Sequence, residues 1–167
     1  MRASLTTPAK AVLRWFLGAL VVALFTAGPA ATANHQLVLN HSIAGVRLGD
    51  DLDHLYRVLG PPKAVKHETS EIAGSVRIDV YGRLAFVSSG GSILEMKTAR
   101  RSIRTSSGIG VGTRRRRLER ELSGMSCRRF ICTIVAGGGV ATIGKTVTTF
   151  WMGHGVVRMI SIGRVLD

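Results

Sequence analysis

An internal repeat with an offset of 63 to 64 residues is the sequence feature that most constrains the fold. The glycine-bounded segment 45–49 returns as 108–112, and Leu55 returns as Leu118. Two units are too few for a solenoid, so we expect one domain with pseudo-twofold symmetry. Chance matching in a Gly-rich and Val-rich chain is the alternative. The other matches are Arg57 with Arg120, Leu59 with Leu122, Phe86 with Phe150, Gly91 with Gly155, Ile93 with Val157 and Met96 with Ile160.

Each unit opens with the signature of a short helix. In the first unit, the carboxylate of Asp50 can accept from the free amides of the first turn, and Gly60 suits the left-handed position that ends a helix. In the second unit, Thr113 takes the cap position and Gly124 ends the helix. The apolar positions at helical spacing are Leu52, Leu55, Val58 and Leu59, then Leu118 and Leu122.

Strand signals follow each helix. Val76, Ile78 and Val80 alternate with polar residues, as expected where one sheet face is wet. A helix followed by a sheet, twice, predicts an α+β fold: two tandem pseudo-symmetric units of helix plus antiparallel sheet, after an N-terminal signal peptide, with the helices on one face. The other predicted strands cover residues 84–87, 93–97, 130–135, 140–143, 146–152 and 156–162.

The N-terminus has the pattern of a secretory signal peptide. Three basic residues precede an uncharged apolar stretch over residues 15–27, and the triplet 31–33, Ala-Thr-Ala, suits signal peptidase. The stretch is shorter than the roughly 20 residues that a spanning helix needs. We therefore expect cleavage after Ala33 and a secreted, extracytoplasmic protein, with an uncleaved anchor as the alternative.

The predicted domain organisation follows from the repeat and the leader. Residues 34–167 are long enough to form one mature domain with a core. Its parts, with the leader, are a signal peptide 1–33, an N-terminal segment 34–41, a first repeat unit 42–98, a linker 99–107 and a second repeat unit 108–167.

Leu48-Gly49, Leu55, Leu59-Gly60 and Pro62 resemble the opening signature of a known group of exported proteins. This group contains the small outer-membrane-assembly lipoproteins and the secreted β-lactamase-inhibitor proteins. In the inhibitor proteins two such units stand in tandem, so the resemblance implies a combined sheet with a concave, partner-binding face. The second unit departs from the pattern at Ser123-Gly124, and no contact residues are carried over.

Basic charge is concentrated in the second half of the chain. Residues 42–98 hold seven basic and seven acidic residues, whereas 99–167 hold thirteen basic and three acidic ones. Such asymmetry favours an anionic partner, although simple solubility charge is an equal alternative. The candidate binding residues on the second helix are Arg114, Arg116, Arg117 and Arg120, for which pairing within the protein is the competing interpretation.

Cys127 and Cys132 are the only two cysteines, and in an exported chain such a close pair predicts a structural disulfide. Two cysteines alone cannot form a structural zinc site, and none of the five histidines lies in a metal or nucleophile signature, so we expect no metal and no cofactor. Residues 139–146 match a phosphate-binding loop. The β-branched and aromatic residues that follow predict a strand instead of the required helix, which argues against a nucleotide.

These observations favour a secreted, non-enzymatic binding protein. Tyr81 and Trp151 lie in predicted strands and are candidate aromatic anchors, with core packing as the default for both. The expected partner is an extracellular or envelope protein, or an anionic polymer or lipid surface; no nucleic-acid motif is present. The alternatives are a small exported hydrolase with an unrecognised site and a cationic surface-binding protein.

Overall fold

The computed structural model describes residues 35–166, and the predicted signal peptide therefore lies outside the described residues. A small antiparallel sheet comes first, with strands β1 (Leu37–Val38), β2 (Ser42–Ile43) and β3 (Val46–Arg47). Helix α1 (Leu52–Leu59) follows, and then four strands: β4 (Ala64–Ser70), β5 (Gly74–Val80), β6 (Leu84–Ser89) and β7 (Ser92–Thr98). Helix α2 (Arg115–Glu121) precedes the last four: β8 (Ser126–Arg128), β9 (Ile131–Val135), β10 (Thr146–Gly153) and β11 (Val156–Arg164).

Strands β4 to β11 form one large antiparallel sheet in the order β4-β5-β6-β7-β11-β10-β9-β8. The last strand of each run lies at the centre, where Met96 of β7 is opposite Ile162 of β11. Strands β4 and β8 are the two edges of this sheet within the described residues.

The prediction of an α+β fold built from two helix-plus-sheet units is wrong. Eleven strands and only two helices, of eight and seven residues, make up the described chain, which is mostly antiparallel sheet. Direct pairing of β7 with β11 merges all eight strands into one continuous sheet. Each helix contributes a single fully buried residue, Leu55 or Leu118, and is too short to form a layer of its own.

One face of the large sheet, here called the packed face, carries the core. Phe86 and Phe150 are completely buried on it, together with Leu55 of α1 and Leu118 of α2. The small sheet adds the buried side chain of Ile43 to the same cluster. Burying each such large apolar side chain contributes roughly 1.5–3 kcal/mol before the entropy of ordering is subtracted.

Both helices begin one residue later than the capping pattern indicates. The cap of α1 is Asp51, whose Oδ1 accepts from the His54 amide at 2.6 Å, while Asp50 accepts from the Arg47 amide. The cap position of α2 is Arg114, with no side-chain hydrogen bond to the helix. Thr113 is instead buried and accepts from the Gly110 amide, so it stabilises the preceding turn.

The strand predictions succeed where apolar residues alternate and fail over 140–143. That segment lies in the loop between β9 and β10, which contains four glycines with positive φ: Gly137, Gly138, Gly139 and Gly144. The β-branched residues of segment 140–143 do not form a strand, because glycines flank this segment on both sides. The strand expected after the loop is present as β10, so residues 139–146 do not have the strand-loop-helix context of a phosphate-binding loop.

Candidate functional site

Five arginines line one cavity of about 560 Å³ beside α2. Four of them are the sequence-predicted residues Arg114, Arg116, Arg117 and Arg120, which the structure brings together around this cavity. The fifth, Arg104, comes from the segment before α2. Gly112 and Thr113 complete the lining, so among residues 35–166 no carboxylate lines the cavity.

Two of these arginines are held in place by the protein. Arg104 donates from Nη1 to the Gly108 carbonyl at 2.8 Å and from Nη2 to the Val111 carbonyl at 3.3 Å. Arg117 donates from Nη2 to the Ser107 carbonyl at 2.8 Å and pairs through Nε with Glu121. Their guanidinium groups therefore have fixed positions at the cavity wall.

The other three arginines of the cavity have exposed side chains. Within residues 35–166, the guanidinium groups of Arg114, Arg116 and Arg120 make no hydrogen bond or ion pair with the protein. The internal pairing predicted as the alternative is present only for Arg115 with Glu119 and for Arg117 with Glu121, both at 2.7 Å. Three positively charged guanidinium groups around the cavity are thus available to bind a ligand.

The absence of a side chain at Gly110 allows the backbone of Arg104 to lie close to it. A Cβ on Gly110 would lie 2.7 Å from the Ile103 carbonyl oxygen and 2.8 Å from Cγ of Arg104. Real Cβ atoms do not approach backbone this closely, so only glycine lets the two segments pair through the Arg104–Gly110 bridge. Close backbone approach therefore positions one wall of the cavity.

A buried polar network between α1 and β5 is absent from the sequence predictions. The Asp79 carboxylate is fully buried and accepts from the Arg77 guanidinium at 3.0 Å. The Tyr56 hydroxyl donates to Asp79 at 3.1 Å and accepts from Arg77 at 2.6 Å. Hydrogen bonding to Asp79 raises the pKa of Arg77, and burial, followed by the bond to Asp79, raises the pKa of Tyr56. The network anchors α1 to the sheet.

Tyr81, a candidate aromatic anchor, is buried in the core directly after β5. Its ring packs edge-on against Phe86 with 5.9 Å between centroids, and its hydroxyl donates to the Gly60 carbonyl at 2.9 Å. Burial chiefly, with the Asp79 charge, raises the pKa of Tyr81 to about 12. The core-packing interpretation describes Tyr81, and its hydroxyl holds the end of α1 against β5.

Trp151 lies on the opposite side of the sheet, here called the open face. Its ring is 40% exposed, and its Nε1 lies 3.4 Å from the Ser161 hydroxyl of the neighbouring strand. A hollow of about 470 Å³ on this face is lined by residues of β4, β5, β6, β7, β10 and β11, by Ala73 and Ala141, and by the C-terminal Val165 and Leu166. Trp151 is therefore placed as an accessible aromatic residue, separate from the arginine cavity.

The two cysteines form the predicted disulfide, with 2.05 Å between the sulfur atoms of Cys127 and Cys132. It crosslinks β8 to β9 at directly opposed positions. Phe130 at the hairpin tip is 59% exposed, and Arg129 stacks on its ring at 5.0 Å from the centroid. The bond thus stiffens a short hairpin that presents an aromatic side chain.

Within the described range, 35–166, no group of three or more His, Cys, Asp or Glu side chains is arranged to hold a metal ion. Neither of the two helices in that range is long and apolar enough to cross a membrane.

No family model matches the chain, and no curated protein matches it. Among solved structures, it is similar to an extracellular protein containing a SCP domain from Bacillus anthracis str. Ames, at 10% sequence identity and a TM-score of 0.47. The match covers 70% of this chain and 44% of that protein, so the chain spans less than half of that structure's length. It assigns neither an activity nor a partner to this chain.

Proposed function

We propose that this protein is an extracytoplasmic, non-enzymatic binding protein whose arginine cavity takes an anionic group of an envelope component. The observation that carries the proposal is the cavity lined by Arg104, Arg114, Arg116, Arg117 and Arg120 with no lining carboxylate. Guanidinium groups match phosphate and carboxylate oxygens with paired, charge-assisted hydrogen bonds. Exported location is supported by the leader pattern and by the disulfide.

Unbalanced charge at the start of α2 supports an anionic ligand. The first turn of this helix holds no acidic residue, and its cap position is an arginine without a capping hydrogen bond. Cations near a helix start are unfavourable by roughly 0.3–1 kcal/mol each. An anion held by the arginine side chains would offset this cost, whereas solubility alone needs no such clustering.

A pull-down from envelope and culture medium tests the proposal. The bait is the wild-type protein, beside a triple variant R114Q/R116Q/R120Q and a matched triple variant R57Q/R83Q/R101Q. Both variants lose three charges at exposed arginines, but only the first loses them at the cavity. We expect an anionic polymer or lipid to be retained by the wild type and the matched variant and lost from the cavity variant. Equal loss from both variants would contradict a cavity site.

A second candidate partner is a folded protein, and Trp151 on the open face favours it. Large, partly exposed aromatic residues often dominate protein interfaces. In the same pull-down, a discrete protein band that survives high salt, is retained by the cavity variant and is lost with Trp151→Ala would favour this candidate. Loss at high salt would instead favour charge-driven binding, because salt screens exposed charges.

A further inference from the structure

We infer that two copies of this chain pair through their β4 edges to form a symmetric dimer with one continuous sheet. β4 is the longer edge of the large sheet, with seven residues against three in β8. Nothing else in the described part of the chain pairs with the outer side of β4, and six of its seven residues are exposed. An edge strand presents a row of backbone donors and acceptors that a second strand can bind.

The charge pattern of β4 selects a second copy of itself as the partner. Lys66 and Glu68 flank His67 at the middle of the strand and lie on the same side of the sheet. In an antiparallel pair centred on His67, each Lys66 lies directly opposite the Glu68 of the second copy. Two opposite-charge pairs form in this way around one twofold axis.

The same residues disfavour the two neighbouring registers. A pair centred on Lys66 puts this lysine opposite its own copy, and a pair centred on Glu68 does the same with two carboxylates. A twofold axis that passes between two residues of β4 also fails. It would place residues whose backbone N–H and C=O groups point away from β5 opposite residues whose groups point toward β5, so the hydrogen bonds could not form. The register centred on His67 avoids these conflicts, overlaps all seven residues and pairs each Lys66 with a Glu68.

The apolar side of β4 fits this register as well. Val65 is 40% exposed in the single chain, and in the dimer it lies opposite Thr69 of the second copy. Two such β-branched pairs form on the packed-face side, where directly opposed side chains contact each other. The twofold contact uses the β4 edge of each copy. No β4 edge is then left for a third copy, so this contact ends at a dimer and does not propagate into a fibre.

Charge reversal on β4 tests the dimer. Sedimentation equilibrium of the protein produced from its full sequence measures the dissociation constant. We expect K66E and E68K each to weaken self-association by about tenfold or more, because two attractive pairs become repulsive. The double variant K66E/E68K restores the dimer with the charges exchanged, and an equimolar mixture of the two single variants forms the heterodimer. The control R83E changes an exposed turn residue outside β4 and leaves dimerisation unchanged.

Hydrogen exchange of the wild type keeps the test decisive if a single variant does not fold. The amides of β4 that point away from β5 are then protected at high protein concentration and exchange faster on dilution. A wild type that stays monomeric at every concentration overturns the inference. So does a dimer that is insensitive to K66E, or a double variant that fails to restore pairing. None of these readouts depends on anion binding.

Discussion

At the residue scale, Tyr81 is a buried side chain whose protonation the fold controls strongly. Burial and the Asp79 carboxylate disfavour the charged tyrosinate, which raises the pKa of Tyr81 to about 12. Tyr56 and Tyr81 are the only two tyrosines of the chain, so removing one isolates the other. Ionisation of Tyr81 in the folded protein therefore reports first on the burial of this side chain and then on the Asp79 charge.

We predict that the Y56F variant shows a single tyrosine titration near pH 12, measured by ultraviolet absorbance of tyrosinate. Because the pKa is raised in the folded state, the unfolded chain releases this proton first as the pH rises. The free energy of unfolding therefore falls between about pH 10, the unfolded pKa, and about pH 12. Replacing Tyr81 as well, in Y56F/Y81F, removes this part of the fall. A titration of Y56F near pH 10 would contradict the burial of Tyr81.

Residue patterns in the sequence locate most strands but do not tell which face of β5 meets the core. Val76, Ile78 and Val80 alternate with polar residues, which predicts a strand with one wet face. They lie on the open face, and the alternate residues Arg77 and Asp79 point to the packed face. Alternation shows that successive side chains point to opposite faces of the sheet, but it does not show which of the two faces meets the core. The Arg77 guanidinium and the Tyr56 hydroxyl of α1 together make a buried carboxylate at position 79 acceptable.

At the element scale, the periodicity of apolar residues predicts the long strands but not the short or fully exposed ones. The strands over 74–98 and 146–164 carry enough alternating apolar residues to be recognised. β4 was missed because its seven residues, Ala-Val-Lys-His-Glu-Thr-Ser, show no apolar face, as befits an exposed edge. The two-residue strands of the small sheet are too short to carry any periodicity.

The β8–β9 hairpin gives an element-scale prediction. The disulfide joins residues five apart and stabilises by limiting the unfolded chain, so C127A/C132A lowers the free energy of unfolding by about 2 kcal/mol. Urea denaturation under oxidising conditions measures the difference. Adding a reductant destabilises the wild type by a similar amount and leaves the double variant unchanged. Equal stability of the two oxidised proteins would contradict a structural role for the bond.

At the scale of the whole molecule, the arginine cavity combines side chains of α2 with an arginine of the segment that precedes the helix. The cluster over 114–120 was recognisable from the sequence as a basic run. Arg104 was not, because its contribution depends on the bridge to Gly110 and on carbonyls at Gly108 and Val111. Sequence also left open whether the charges pair internally, and the structure pairs only some of them.

The global fold could not be obtained from the repeat. Helix-then-strands, twice, is compatible with two separate layers or with one shared sheet, and local patterns carry no information on which strands become neighbours. The β7–β11 contact joins Glu95–Thr98 to Ile160–Gly163 across more than sixty residues. This long-range pairing makes the sheet continuous and leaves the arginine cavity and the open face as separate surfaces.

Calorimetric titration with linear polyphosphate tests the central claim, that the arginine cavity binds an anion, most directly. The proteins compared are the wild type, R114Q/R116Q/R120Q and the matched R57Q/R83Q/R101Q. Exposed charge pairs are worth about 0.2–1 kcal/mol each, so losing three in the cavity variant should weaken binding by about tenfold, near the middle of that range, whereas the matched variant stays within about threefold. Saturable binding that is lost only with the cavity arginines is the predicted result. Equal weakening in the two variants would contradict the cavity and leave net charge as the cause.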